Sequence, residues 1–454
     1  MTGRTPPWTT DRPTLERALP VAEVLRILRH ELRDCGTRID TERAPLEPFV
    51  LSRRAYEELF SAAAGLLALL RRAVLESAPT RAGRLSALGL APDGHQYPLF
   101  SDDEDFEERY CAAMARPDVI IGAQGPQFIE FNVSGAFGGP AETHLLTRVW
   151  NEVYAHGGKG DAPFFGHDPL AARAAFFERV CNEAGLPRSV ALVGSPYEQD
   201  KAATSRYYDI EVDVLRRRGM HAEFFEPDRL PHGLGLPERL DYPVGLRYFA
   251  TADWTARGQS LDPVRSVLAS GCLLLPSQSS YLLANKKVLA WLSEGLPWMS
   301  ETDRALVGRY VPWSRVVRET KAEWRGRYVD LPELLLAGQE QFVLKKAIGM
   351  MGREVLIGRL TTPAQWAATV ERALADEDSI VQLYTESVPY ALEMCDASET
   401  AAERVAVAPV LSPMLFGGRP GGCYARYFPS GESGVVSVYG QGAMENAVLT
   451  GVPR

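Results

Sequence analysis

Residues 128–139 read FIEFNVSGAFGG, an apolar strand pattern that is broken by two polar side chains and followed by a glycine-rich stretch. Side chains alternate between the two faces of a strand, so Glu130 and Asn132 share one face. Another apolar run, Val119–Ile121, precedes this strand across a GAQGP turn. The two runs predict a β-hairpin in which Asp118 lies on the strand beside Glu130.

These side chains offer two carboxylates and an amide oxygen, the hard ligands that Mg²⁺ takes when it carries phosphates. A polar strand face turned to solvent explains the same pattern without a metal. The residues alone do not decide between the two interpretations. The metal hypothesis names Asp118, Glu130 and Asn132 as ligands.

A lysine and a glycine-containing loop follow further along the chain. Lys345 ends an apolar strand, and the loop after it contains Gly349, Gly352 and then Arg353. Backbone N–H groups of such a loop can close over a phosphate that the lysine holds. An ordinary hairpin with a surface lysine is the commoner arrangement for this pattern on its own.

Three more segments add to this pattern. Lys286 lies at the start of a predicted helix, where it can contact a phosphate, although a solvated helix end is the more frequent explanation. The strand Ile380–Tyr384 offers backbone groups that can pair with adenine. Arg426 can take a carboxylate through two parallel hydrogen bonds. Neither GxxxxGK[ST] nor GxGxxG occurs, so a P-loop and a dinucleotide-binding turn are not expected.

Composition narrows the class of protein. The chain has 454 residues, a formal net charge of -9 and a pI near 5.5, which argues against a nucleic-acid backbone or an anionic membrane as partner. No apolar run is long enough to span a bilayer, and no secretory signal is visible. The six cysteines stand far apart, which is typical of reduced thiols, so a cytoplasmic protein is expected.

The order of strand and helix patterns predicts four segments. Residues 1–110 form a mainly helical N-terminal region, and residues 111–180 carry the metal-binding strands. Residues 181–278 alternate strands with a long helix, which predicts a Rossmann-like domain for substrate binding. Residues 279–454 form the nucleotide-binding region, with the glycine loop as a lid.

The order of the motifs resembles that of circularly permuted ATP-grasp ligases, in particular eukaryotic-type glutathione synthetases and glutathionylspermidine synthetases. Arg116 and Asp118 match the Arg-x-Asp that precedes the metal strand in that family, and Asp118 stands 12 residues before Glu130. The metal strand precedes the lysine strand, as in the permuted group. Three features depart from the family pattern: Lys346 replaces a proline, two methionines stand in the glycine loop, and no acidic residue accompanies Ser412.

The resemblance implies an α/β (α+β) chain with a circularly permuted ATP-grasp fold. It also implies an ATP-dependent ligase that joins a small carboxylic acid to an amine through an acyl phosphate, with ATP and Mg²⁺ as cofactors. A small-molecule kinase and a non-catalytic nucleotide-binding protein are the alternatives, and a homodimer is left open. The implied site residues are Arg116 and Arg426 for catalysis; Asp118, Glu130 and Asn132 for the metal; Lys286, Lys345, Gly349, Gly352, Arg353, Gln382, Leu383 and Tyr384 for ATP; and Ser134, Arg247 and Arg426 for substrate.

Overall fold

A computed structural model describes most of the chain, which is a mixed α/β protein. The described residues are 17, 19–33, 35, 43–91, 99–155, 162–194, 203–226, 229–230, 234–236, 239–349, 354–396, 398–429, 434–436 and 442–452. Within them, the helices are Val21–Leu32, Arg53–Ser77, Arg81–Ala87, Glu104–Tyr110, Pro140–Val153, Pro169–Ala184, Ala203–Arg217, Thr251–Ala256, Asp262–Ala269, Ser280–Ala284, Lys286–Glu294, Glu301–Tyr310, Leu331–Ala337 and Pro363–Asp376.

The strands are numbered here in chain order. They are β1 Phe49–Leu51, β2 Met114–Gly122, β3 Gly125–Asn132, β4 Phe164–Phe165, β5 Ser189–Gly194, β6 His221–Phe225, β7 Gly235–Leu236, β8 Arg239–Leu240, β9 Val244–Tyr248, β10 Leu273–Leu275, β11 Ser314–Val316, β12 Lys321–Trp324, β13 Arg327–Asp330, β14 Phe342–Lys346, β15 Val355–Ile357, β16 Ser379–Leu383, β17 Tyr390–Cys395, β18 Ala402–Val407, β19 Val410–Phe416, β20 Arg419–Tyr427 and β21 Met444–Gly451.

The largest sheet has seven strands and contains the predicted hairpin. Its order is β1-β21-β20-β19-β2-β3, with β4 paired to β21. β2 and β3 are antiparallel, with Asp118 directly opposite Glu130 and Arg116 opposite Asn132. The hairpin expected from the sequence is therefore confirmed. The long helix Arg53–Ser77 buries an apolar stripe against this sheet, because Leu59, Leu66 and Leu70 recur at helical spacing.

Two four-stranded sheets flank this core. β10, β9, β5 and β6 pair in parallel, in that order, and form the Rossmann-like layer expected from the alternation of strands with helices. β11, β16, β14 and β15 pair antiparallel. Behind this second sheet lies the helix Pro363–Asp376. It starts as predicted after Thr362, whose hydroxyl accepts a hydrogen bond from the N–H of Gln365.

The C-terminal part departs from the sequence expectation. The pattern of glycine and valine residues from Gly434 to Val438 predicts a strand, but residues 434–436 carry no strand, and 437–438 lie outside the described residues. The last strand of the large sheet is β21 instead. It starts at Met444, and the next two residues, Glu445 and Asn446, are polar but buried, so the sequence pattern did not reveal this strand. Within the described residues, no helix is both long enough and apolar enough to cross a membrane.

A tight turn starts the helix Pro140–Val153 beside the hairpin. Gly139 adopts φ of +110°, and a Cβ there would lie 2.9 Å from Cγ of Tyr424, so only glycine fits. The N–H of Gly139 donates to Oε2 of Glu142 at 3.0 Å. Burial raises the pKa of Glu142 from 4.5 to about 7. A buried carboxyl that ionises near neutrality therefore lies next to the hairpin.

The variant Glu142→Gln tests this charge state. Between the ordinary pKa of 4.5 and the folded value of about 7, the folded protein binds more protons than the unfolded chain. Its stability therefore falls as pH rises through that window. Glutamine still accepts the Gly139 N–H but does not ionise. We expect Glu142→Gln to gain stability relative to the wild type as pH rises through the window, in urea unfolding at a series of pH values.

Glu152→Gln, an exposed change on the same helix, is the matched control and should show no such trend. A difference between Glu142→Gln and the wild type that stays constant with pH would contradict the raised pKa of Glu142.

Candidate functional site

The predicted site residues meet where the hairpin β2–β3 lies against the sheet that contains β14 and β16. The ammonium of Lys345, at the end of β14, donates to the carbonyl of Ile129 in β3 at 2.9 Å. It also donates to Oε1 of Gln382 in β16 at 2.7 Å. Gln382 in turn donates to the hydroxyl of Ser314 at 3.0 Å. Lys345 therefore joins the two sheets through its side chain.

The surroundings of Lys345 change its ionisation. The residue is 5% exposed, and burial lowers its pKa to about 8. The positive charge of Lys286 lowers this pKa further, whereas the negative charges of Glu130 and Asp118 raise it. A lysine with such a pKa stays mostly protonated at neutral pH, although burial makes its charge costly.

Lys286 approaches the hairpin from the start of the helix Lys286–Glu294. Asn285 caps this helix and accepts from the N–H of Lys287 at 3.0 Å. The ammonium of Lys286 lies 2.9 Å from Oε1 of Glu130 and donates to the carbonyl of Gly349 at 3.4 Å. The ammonium of Lys287 points elsewhere and donates to the carbonyl of Leu88 at 2.9 Å. Of the two lysines, Lys286 is the one in the site.

Asp118 is held by three groups on three strands. Nη2 of Arg426 lies 2.6 Å from its Oδ2, the hydroxyl of Ser412 donates to its Oδ1 at 2.9 Å, and Nη2 of Arg116 is 3.7 Å from its Oδ1. Burial by itself raises the pKa of Asp118, but the two guanidinium groups outweigh this effect, and the net shift is downward. Asp118 is therefore an anion in the folded protein.

The two arginines keep unused hydrogen-bonding capacity. Arg116 donates through Nη1 to the carbonyl of Gly138 at 2.9 Å, and Arg426 donates through Nη1 to the carbonyl of Val436 at 3.4 Å. The Nε atoms of both arginines are buried and lack a hydrogen-bond partner among the described residues. Buried donors without a partner are rare in folded proteins. They are consistent with a polar group that binds here.

The charges at this junction do not balance. Arg116, Arg426 and Lys286 contact the two carboxylates, and Lys345 adds a fourth positive charge beside them. Glu445, the cross-strand neighbour of Arg426, is engaged by the hydroxyl of Tyr424 instead. The cluster of Arg116, Asp118, Glu130, Lys286, Lys345 and Arg426, called here the cationic cluster, thus has more cations than carboxylates. An anion with several charges would offset that surplus.

The predicted metal ligands suit Mg²⁺ in their chemistry. Asp118 and Glu130 are direct cross-strand neighbours, and Asn132 lies one pleat further along β3. Both carboxylates are paired with cations, and Nδ2 of Asn132 donates to the carbonyl of Arg116 at 3.1 Å. Among the described residues, no group of three or more His, Cys, Asp or Glu side chains could hold a metal ion. The metal role of this oxygen set stays a prediction.

The segment expected to pair with adenine, Ile380–Tyr384, already uses some of its backbone N–H groups in hydrogen bonds within the protein. The N–H of Leu383 donates to the carbonyl of Trp313 at 2.8 Å, and the N–H of Tyr384 donates to that of Gln341 at 2.7 Å. These two N–H groups are therefore not free to pair with a base. Adenine could pair here only with other backbone groups of Ile380–Tyr384. The adenine-binding role of Gln382, Leu383 and Tyr384 stays a prediction.

Two of the predicted substrate residues, Arg247 and Ser134, make hydrogen bonds that stabilise nearby loops. Arg247 is buried, and it donates to the carbonyls of Pro276 and Ser277 at 3.0 Å each and to the hydroxyl of Ser280 at 2.9 Å. Its guanidinium thus holds the loop after β10. The hydroxyl of Ser134 accepts from the N–H of Ala136 at 3.0 Å. Their substrate roles remain predictions.

Some predicted residues lie outside the part of the chain that the structure describes, and two residues near the site were not predicted. Gly352 and Arg353, with most of the predicted lid, lie outside the described residues. Ser314 and Ser412 were not predicted as site residues, although they orient Gln382 and Asp118. Ser412 is a single serine within an otherwise apolar strand, whereas Ser314 begins a short strand beside Arg315 and offers no such signal.

Comparison with known proteins gives a likeness of fold. No family model matches the chain, and no curated protein sequence matches it. A solved structure, that of a glutathione synthetase-like effector from Globodera pallida in its apo form, is similar to it with a TM-score of 0.55 and 12% sequence identity. The match covers 97% of this chain and 99% of the effector chain, so the likeness extends over nearly the whole fold.

Proposed function

We propose that this chain is an ATP-dependent ligase that joins a small carboxylic acid to an amine, on a circularly permuted ATP-grasp fold. The observation that carries the proposal is the surplus of buried positive charge in the cationic cluster. A triphosphate is an anion of suitable charge for it. The glutathione synthetase-like fold of the solved effector supports the same class of reaction, as does the order of the motifs along the chain.

In this proposal the lysines hold the nucleotide. Lys345 and Lys286 bind its phosphates, and the hydrogen bond from Lys345 to Gln382 keeps the first ammonium in place. Asp118, Glu130 and Asn132 would hold Mg²⁺. The positive charge that Mg²⁺ supplies when bound would offset the negative charge that develops during phosphoryl transfer.

In the same proposal, Arg116 and Arg426 bind the carboxylic acid and then its acyl phosphate. Arg116 lies on β2 of the hairpin and Arg426 on β20, and the Nε of each has no partner among the described residues, so they can bind the carboxylate of the acid and stabilise the oxyanion that forms when the amine attacks. The acid takes the terminal phosphoryl group of ATP to give an acyl phosphate, and the amine then displaces phosphate. The loop that begins at Gly349 would exclude water from this intermediate.

The pH dependence of ATP binding tests the role of Lys345. Its pKa of about 8 means that the side chain is cationic below that pH and neutral above it. We expect the affinity for ATP to fall as pH rises through about 8, with proton uptake on binding near that pH, because bound phosphates favour the charged form. Titration calorimetry in buffers of different ionisation enthalpy measures both effects.

Lys345→Gln should weaken ATP binding by roughly tenfold to a hundredfold, the scale of one charge-assisted contact, and should remove this pH dependence. Lys346→Gln is the matched control, since the neighbouring ammonium pairs with Asp376 and Asp378 outside the cluster. An unchanged affinity and pH profile in Lys345→Gln would remove the nucleotide assignment.

The metal assignment has its own test in Glu130→Gln. The change keeps the size of the side chain but removes one negative charge beside the proposed Mg²⁺. We expect kcat to drop on the order of 10²-fold while the melting temperature changes little. Asn132→Ala should act in the same direction, and the double variant should lose less than the product of the two, since ligands of one ion act as a unit.

Phosphate release across a Mg²⁺ titration is the measurement for Glu130→Gln. Glu323→Gln, an exposed change on β12, serves as control. Turnover of Glu130→Gln equal to that of the wild type at every Mg²⁺ concentration would contradict the metal site.

Amine dependence separates a ligase from a kinase that uses the same ATP site. Across a panel of carboxylic acids and amines, we expect phosphate release to require both partners, with an amide product seen by mass spectrometry. ADP formation with an acid or alcohol alone, and a phosphorylated product that no amine consumes, would replace the ligase proposal by a kinase.

A further inference from the structure

A second feature lies at the end of the large sheet, beside the turn that joins β19 to β20 and the residues that precede β2. A groove of about 360 Å³ opens between the helix Arg53–Ser77, the helix Pro169–Ala184 and the turn that joins β19 to β20. Its volume falls within the range of small-molecule sites. Ala113, at its edge, stands five residues before Asp118. At about 3.3 Å per strand residue, Ala113 is roughly 10 Å along the chain from Arg116, the first residue of the cluster, and roughly 16 Å from Asp118.

Apolar side chains and two arginines line the groove together. Leu67, Phe176 and Val180 are buried apolar residues of its wall. Arg71 and Arg179 are half-buried beside them. The combination offers an apolar surface next to cationic groups, whereas the protein as a whole has a net charge of -9.

The two half-buried arginines donate to backbone oxygens, and Arg71 also interacts with the thiol of Cys111. Arg71 donates to the carbonyl of Glu108 at 3.3 and 3.0 Å. Arg179 donates to the carbonyls of Ala175 and Phe416 at 3.2 and 3.3 Å. Among the described residues, no carboxylate lies within salt-bridge distance of either guanidinium. Within the described part of the chain, neither guanidinium is therefore paired with a carboxylate in an ion pair.

The nearby carboxylates pair with other arginines. The carboxylate of Glu108 is used by Arg84, at 2.6 Å. At the rim, Arg109 and Glu183 form a 3.0 Å pair in which both side chains are 57% exposed, and such pairs add little stability. Burial and the like charge of Arg419 lower the pKa of Arg179, the negative charges of Glu183 and Glu178 raise it, and the net shift is downward. An anion in the groove would relieve this repulsion.

The wall of the groove is preformed by a tight turn. Gly417 and Gly418 have φ of +59° and +71°, in the left-handed region that favours glycine. The N–H of Gly417 donates to the carbonyl of Ala113 at 2.7 Å. A Cβ on Gly417 would lie 2.8 Å from the ring of Phe176, so the turn packs closely against this wall. A ligand would therefore meet an ordered surface.

We propose that this groove binds a small organic anion in which a carboxylate is joined to an apolar group. The carboxylate would lie between Arg71 and Arg179, where guanidinium groups can donate paired hydrogen bonds, and the apolar group would pack on Leu67 and Phe176. This site is distinct from the cationic cluster, and the inference does not depend on the ligase proposal.

Binding of named probes tests the groove. The probes are acetate, hexanoate, phenylacetate and indole-3-acetate, with phenylacetamide as the uncharged counterpart of phenylacetate. We expect hexanoate and the two aromatic acids to bind the full-length protein in titration calorimetry. Acetate and the amide should bind at least about tenfold more weakly, which corresponds to about 1.4 kcal/mol.

Variants locate the binding. Arg71→Gln with Arg179→Gln should weaken phenylacetate binding by about tenfold or more. The double change Arg26→Gln with Arg265→Gln, at two exposed arginines, is the matched control. Ala68→Phe, at an exposed position of the groove, should block it without removing any charge, so it also covers the case in which the arginine variant fails to fold.

Lys345→Gln should leave phenylacetate binding unchanged, which separates this site from the cationic cluster. The proposal is overturned if none of the four acids binds, if the amide binds as well as the acid, or if both groove variants bind like the wild type. Loss of binding in Lys345→Gln with full binding in Ala68→Phe would place the anion in the cationic cluster instead.

Discussion

The ammonium of Lys345 is the contact on which the arrangement of the candidate site depends. It connects β14 to the carbonyl of Ile129 in the large sheet and also holds Gln382. Burying a lysine is costly, and the lowered pKa reports that cost, but two hydrogen bonds offset part of it. The same contact holds β14 against the hairpin. The packing of its sheet on the large sheet and the arrangement of the candidate site therefore depend on one side chain.

Charge balance distinguishes this cluster from other buried ions of the molecule. Arg173 and Glu211 are also fully buried, but they pair one to one, as a structural ion pair does. In the cationic cluster the positive groups outnumber the carboxylates. A stable fold tolerates such an imbalance when a ligand of opposite charge removes it. Arg247 belongs with the structural group by its contacts, because its bonds hold a loop.

Local pattern was enough to predict the hairpin and its face. Alternation in β3 put Glu130 and Asn132 on one side, and the short turn made Asp118 the cross-strand neighbour of Glu130. The start of the helix at Lys286 also followed from local signals. The pairing of Asp118 with Arg426 and Ser412 could not be predicted in this way, since β19 and β20 reach β2 only through the tertiary fold. The strand β21 was missed for a related reason. Glu445 and Asn446 are polar, and their burial depends on residues that are far away in the sequence.

The parallel pairing of β1 with β21 has a consequence for how the chain is made. Phe49 lies opposite Val448, and almost the entire described chain separates them. During synthesis, β1 therefore has neither edge paired with its sheet until β21 has been translated, about 400 residues later. Contacts of such long sequence separation form slowly. We infer that the nascent chain is most exposed to wrong strand pairing, and most dependent on chaperones, before its last strand emerges.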